Sequence, residues 1–195
     1  MQHAVVAFLE NDQSLVLVDE DLRELVGLFH RIPFCATLGV SCAGHLKEDT
    51  HWANGKKQFW PALFGDLCII VLPEKPHIKN LINLIGLEIQ KHKDVTIGEI
   101  EHLYGPSSSS PLKVFEIFIK DANCFGKGYE GFDLEWFAVD GNEELYEKAL
   151  KRYNEIKLFW QDLIKIVKDF CEANNFSVFD LLARKKELVA CWNVK

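Results

Sequence analysis

Cys42 and His45 stand three residues apart in the run Ser41-Cys42-Ala43-Gly44-His45, and a thiol beside an imidazole is a chemically capable pair. Thiolate is a nucleophile and a soft metal ligand, and imidazole takes or gives a proton near neutral pH. Side chains at this spacing on one turn can meet, so that the imidazole lowers the thiol pKa and makes a nucleophile. Cys42 and His45 are therefore the candidate catalytic residues. Gly44 lets the backbone take positive φ or come close to a ligand. Thr37, Ser41, Gly44 and Trp52 are the candidate ligand-binding residues around the pair. The simpler expectation is a small buried thiol and an imidazole that bridges backbone groups. No third residue that would orient the imidazole can be named from spacing.

A metal reading competes. Cys35, Cys42, His45 and His51 are four zinc-type donors in a short segment. Cys35 and Cys42 are expected at opposite ends of one strand, however, and the close ligand pairs of structural zinc sites are missing. The expectation is no metal. Three other signals are weaker. Phe125-Gly126-Lys127-Gly128-Tyr129 lacks the spacing of a P-loop and reads as a surface loop. Glu99 and Glu101 share a strand face that solvation explains. Arg184-Lys185-Lys186 reads as ordinary surface charge.

The elements that would hold the pair can be read from periodicity. Leu22, Leu25, Val26 and Phe29 have helical spacing, with Asp19, Glu20 and Asp21 where a helix N-terminus favours negative charge. Pro33 ends that helix. Ala36–Ser41 reads as a strand running into the Cys42–His45 turn, with Thr37, Gly39 and Ser41 on one side and Ala36, Leu38 and Val40 on the expected core side. Asn54-Gly55 favours a tight hairpin whose aromatics, Trp52 and Trp60, stand beside the turn.

Further along, Leu67–Leu72 reads as a central strand. Ile78, Leu81, Ile82, Ile85 and Ile89 form a helical stripe. Val95–Tyr104 and Leu112–Lys120 read as strands across a serine-rich turn, and Phe132–Ala138 as another. Asn142 is placed to cap a long helix with Leu145, Ala149, Tyr153, Ile156, Trp160, Leu163 and Val167 on its apolar face. Asn174-Asn175 stops it, and a last helix follows near Val178–Ala190. Strands and helices do not alternate strictly, so the expected class is α+β: a mostly antiparallel or mixed sheet covered by helices, with a long C-terminal helix.

Composition sets the outer bounds. A chain of 195 residues, 48% hydrophobic and 26% charged, fits one globular domain spanning residues 1–195. Fourteen Phe and five Trp supply a well-filled core. The net charge of −7 argues against non-specific nucleic-acid binding. No apolar stretch reaches the roughly 20 residues of a membrane span. Six scattered cysteines with no recognisable signal peptide point to reduced thiols in the cytoplasm. The partner expected is a small molecule. Oligomeric state and cofactor stay open, as does the choice between an enzyme and a pure binder.

The run Ile32-Pro33-Phe34-Cys35-Ala36-Thr37-Leu38-Gly39-Val40-Ser41-Cys42-Ala43-Gly44-His45 resembles a signature of small uncharacterised bacterial and phage proteins. There a helix leads through Pro to Thr and then to Ser-Cys-x-Gly-His before a Pro-led strand, which Pro61 would begin here. The resemblance spans roughly Leu22–Val71 and implies no activity. The same turn is also similar to the Ser-Cys-Ser-Gly-Arg segment of the wybutosine-synthesis tRNA methyltransferase family. Ser41, Cys42 and Gly44 match, while Ala43 and His45 replace the family's Ser and Arg. That likeness implies S-adenosylmethionine and tRNA as ligands. Three functions are thus open: a small-ligand-binding protein with its site at the turn, an interaction or structural protein, and an S-adenosylmethionine-dependent tRNA-modification enzyme.

Overall fold

The acidic stretch after Val18 opens a 3-10 turn, Glu20–Leu22, that runs into a short helix α1 (Arg23–Phe29). Leu22, Leu25, Val26 and Phe29 are buried on one side of it, as their spacing requires. Pro33 follows the helix. Phe34 then takes a φ of 59°, uncommon for a residue with a side chain, and swings the chain into strand β1 (Cys35–Cys42). These coordinates are a computed structural model and describe residues 18–50, 55–101, 110–120 and 136–177, with positions 188 and 191. Residues 1–17, whose short apolar runs Ala4–Leu9 and Leu15–Val18 read from sequence as either a hairpin or a short helix, lie outside the described residues apart from Val18. So do Trp52, the glycine-rich segment 125–129, the basic cluster 184–186 and most of the last helix.

Two antiparallel sheets follow. The first holds β1, β4 (Gly65–Val71), β6 (Lys113–Ile119) and β5 (Val95–Ile100), in that order. The second holds β2 (His45–Asp49), β3 (Gln58–Ala62) and the two-residue β7 (Phe137–Ala138). β1 passes into β2 and β3 passes into β4, so one long hairpin bends from sheet to sheet. The bend lies at Ala43-Gly44 on one arm and Leu63-Phe64 on the other. The expected hairpin exists, but its described pairing ends at Asp49–Gln58. Residues 51–54, where the expected tight turn falls, lie outside the described residues; Gly55 beside them has the positive φ (82°) that such a turn demands.

Helix α2 (Pro76–Ile89) begins at a proline, the residue best suited to a first helical turn, and buries Ile78, Leu81, Ile85 and Ile89. The long helix α3 (Glu143–Ala173) buries Ala149, Ile156, Phe159, Trp160, Leu163, Val167 and Phe170. Asn142 precedes it but does not cap it with its side chain; the Asn142 amide donates instead to the Ala138 carbonyl, 2.9 Å away. Asn175 ends it with a φ of 54°. The class is α+β, with antiparallel sheets and a long helix laid across them. No helix among the described residues is long and apolar enough to cross a membrane.

The faces of β1 differ from the expected assignment. Cys35 joins the main core, together with Leu67, Ile69 and Val71 of β4 and the apolar stripe of α3. Ala36 and Leu38 are buried on the opposite side of the sheet, in two small clusters with Ile70, Leu112 and Leu188 and with Cys68 and Val114. Both faces of the sheet are covered, so alternation alone cannot tell which carries the larger core.

Candidate functional site

A bulge places Cys42. β1 and β4 pair in regular register from Cys35–Val71 to Leu38–Cys68, and the next pair is Cys42–Asp66. Three residues of β1, numbers 39 to 41, therefore stand opposite the single Leu67 of β4. Bulges bend a strand and re-aim its side chains. Here the bulge ends at Cys42, whose N–H donates to Asp66 Oδ1 at 3.1 Å. Ser41, just before it, is 7% exposed, and its hydroxyl has no hydrogen-bond partner.

The two residues of the bend are held from both sides. Gly44 has a φ of 84°, and a Cβ there would meet the Phe64 carbonyl oxygen at 3.1 Å and Ile156 of α3 at 3.4 Å. Glycine is demanded twice, by conformation and by close approach. The Ala43 carbonyl accepts a 3.0 Å bond from the buried Trp160 indole of α3. The Ala43 N–H donates to Asp19 Oδ2 at 2.9 Å. Around this joint, α3 also grips its neighbours: Tyr146 bonds Glu48 of β2, and Lys157 pairs with Asp21 of the 3-10 turn.

Asp19 is the residue that sequence reasoning missed. It reads as helix-terminal charge, yet it makes no side-chain cap. Its carboxylate reaches across 24 positions of sequence to the bend, and the same Oδ2 accepts from His45 Nε2 at 2.9 Å. Asp19 supplies the orienting group for the imidazole that no spacing rule could name. One donor atom each from Asp19, Cys42 and His45 all lie within 4.8 Å of one another. All three side chains are partly open to solvent, His45 most clearly at 35%.

The thiol is not activated in this arrangement. Burial pushes the Cys42 pKa up, the Gly44 N–H partly offsets this, and the charges of Asp19 and Asp66 push it further up. The thiol donates weakly to the Phe64 carbonyl at 3.8 Å. His45, expected to lower the thiol pKa, is paired with Asp19 instead.

The other candidates are distributed as follows. Thr37 lies away from the bend, opposite Ile69 in register. Its N–H donates to His30 Nε2 at 3.2 Å, and its hydroxyl bonds the same nitrogen at 3.0 Å. The N–H must donate, so Nε2 is the acceptor in that bond. Ser41 and Gly44 flank Cys42 and His45 as expected. Cys35 sits at the far end of β1 in the core, apart from Cys42, and His51 lies outside the described residues, so the four-donor set is not assembled among them. Trp60 lies under the Lys47 ammonium, 5.0 Å from the ring centre, as part of the hairpin. Glu99 pairs with Lys113 across the strands.

A cavity of about 240 Å³ opens where the link between α2 and β5 meets α3; it is lined by His92, Asp94, Arg152 and Ile156 among others. Neither Cys42 nor His45 lines it, and Ile156 separates it from Gly44. The Arg152 guanidinium there is already engaged by Asp94, Glu155 and the Lys120 carbonyl.

No family model matches this chain, and neither a curated protein nor a solved structure matches it.

Proposed function

We propose that the protein binds a small ligand at the bend, with Asp19, Cys42 and His45 as its contacting groups and Ser41 and Gly44 shaping the floor. The observation that carries this reading is the meeting of carboxylate, thiol and imidazole from two distant segments within 4.8 Å. A strand end needs no such trio to be stable. The backbone beneath it is fixed by the Trp160 bond to the Ala43 carbonyl and by Asp66 and Asp19, which accept from the Cys42 and Ala43 N–H groups. Rigid placement of polar groups is what a binding site requires.

A second reading is favoured by the Ala43 bonds to Asp19 and Trp160. In it the bend is a structural joint that ties both sheets to α3 and presents a surface to a protein partner. The tRNA-modification reading rests on Ser41, Cys42 and Gly44 alone, and it makes S-adenosylmethionine a probe worth including.

Native mass spectrometry of freshly purified protein, beside urea melts, separates the readings. A binding site predicts an adduct lost in Cys42→Ala and His45→Ala, with melts close to wild type. A structural joint predicts no adduct and a loss of roughly 1–3 kcal/mol in each variant.

A further inference from the structure

We infer that Asp19, Cys42 and His45 form a mononuclear site for a divalent transition-metal cation of the zinc class, with one coordination position left open. This rests on the bend being a ligand site and names the ligand. The donor set selects the class. A thiolate and an imidazole suit zinc, cobalt and their neighbours, whereas magnesium and calcium prefer shells of oxygen alone. Bonds of roughly 2.0–2.3 Å in a tetrahedral shell put donors about 3.5 Å apart. The present separations, 2.9 Å for Asp19 to His45 and no more than 4.8 Å for any pair, straddle that value. Small side-chain rotations suffice, because the backbone at Ala43 and Gly44 is already fixed.

The electrostatic setting agrees. Two carboxylates stand beside Cys42: Asp19, with an oxygen within 4.8 Å of the thiol, and Asp66, which accepts from the Cys42 N–H. Their negative charge favours a dication at this place. Coordination breaks the Cys42 S–H bond, releases one proton to solvent and forms a sulfur–metal bond. The His45 ring coordinates as neutral imidazole; if it does so through Nε2, its proton moves to Nδ1 and the metal replaces the present bond to Asp19. Thiolate and carboxylate together balance the two positive charges. Asp19 Oδ2 already holds the Ala43 N–H, which fixes the carboxylate as outer-shell hydrogen bonds fix metal ligands elsewhere.

Three protein ligands with a vacant fourth position is the pattern of catalytic rather than structural zinc. The partial exposure of His45 gives an exogenous molecule access. The sequence set the metal reading aside because its four local donors could not meet. Asp19 supplies the third donor from outside that segment.

The test is a titration of the metal-stripped full chain with cobalt(II), followed by absorption. The expected result is a thiolate-to-cobalt charge-transfer band that saturates at one equivalent, is displaced by zinc(II) and is untouched by excess magnesium(II). Cys42→Ser should abolish the band. Asp19→Asn and His45→Gln should each weaken binding on the order of a hundredfold. Urea melts of each metal-free variant must match wild type; where one does not, the other two decide. A band that persists in Cys42→Ser, or no saturable binding, overturns the metal site. If, in that case, a native-mass adduct is still lost in Cys42→Ala and His45→Ala, the bend remains a site for another ligand. If no adduct exists either, the ligand-site reading falls with it.

Discussion

At the scale of single residues, Gly44 bears the strictest demand. It needs a positive φ of 84° and space that a methyl group would contest with the Phe64 carbonyl at 3.1 Å. Gly55 has a nearly equal φ of 82°, but no described residue lies near its missing side chain. Gly44→Ala should therefore destabilise the fold by about 2–4 kcal/mol and Gly55→Ala by only about 1 kcal/mol, the strain of the left-handed conformation alone. Urea melts of the two variants measure the difference. Equal losses would mean that the close approach at Gly44 relaxes freely. Cys42, Gly44 and His45 were legible in the sequence because their types and spacing are local. Asp19 was not. Its contact with Ala43 spans 24 positions, and nothing in the run Asp19-Glu20-Asp21 marks one carboxylate as different from the helix-terminal charge beside it. The bulge over residues 39–41 was equally hidden, since it is defined by the register of β4 and not by β1.

At the scale of elements, apolar periodicity carried most of the information. The stripes of α1, α2 and α3 face the core where their spacing placed them, with Ile82, Leu145 and Tyr153 only half-buried, and Asn174-Asn175 does stop α3. The strands were legible as segments but not as faces: Ala36 and Leu38 are buried on the side away from α3. The tight turn expected at Asn54-Gly55 falls on residues 51–54, outside the described residues, while the strands on either side pair from His45–Ala62 to Asp49–Gln58. The last turn of α2 makes a prediction of its own. Glu88 is only 6% exposed, yet it accepts from Lys91 and lies 3.5 Å from His92. The Lys91 ammonium holds its carboxyl below the usual range; burial opposes this and His92 adds to it. A carboxyl lowered in the folded state adds stability above its unfolded pKa of about 4.3, and that stability is lost as pH falls through the folded value. The advantage of wild type over Glu88→Gln should thus be largest near about pH 6 and shrink towards about pH 3. Thermal melts across that window check the sign. An advantage that grew on acidification would contradict the pairing.

At the scale of the whole molecule, the thiols report on how the chain is packed. Burial pushes the Cys68 thiol up to about 12 and Cys171 up to about 11, and Cys35 is raised as well, first by its own burial and then by Cys171 nearby. Cys42 and Cys191 are half-buried, and none of the five described cysteines is in a disulfide. Brief alkylation of the folded protein should label Cys42 and Cys191 ahead of Cys35, Cys68 and Cys171. Alkylation in denaturant without reductant should count six free thiols, the number in the sequence. Peptide mass mapping reads both results, and early labelling of Cys35 or a missing thiol would contradict them. The long bent hairpin, Asp19 at the head of the 3-10 turn and α3 converge on Ala43 and Gly44, so the architecture itself presents the carboxylate, thiol and imidazole together. The most direct measurement is anomalous diffraction at the zinc edge from crystals grown with zinc(II). A single strong peak within about 2.0–2.3 Å of Asp19 Oδ2, Cys42 Sγ and a His45 ring nitrogen, with a fourth ligand that is not protein, is the predicted result. Ordered side chains at the bend with no peak between them, or a peak only elsewhere on the molecule, would contradict it.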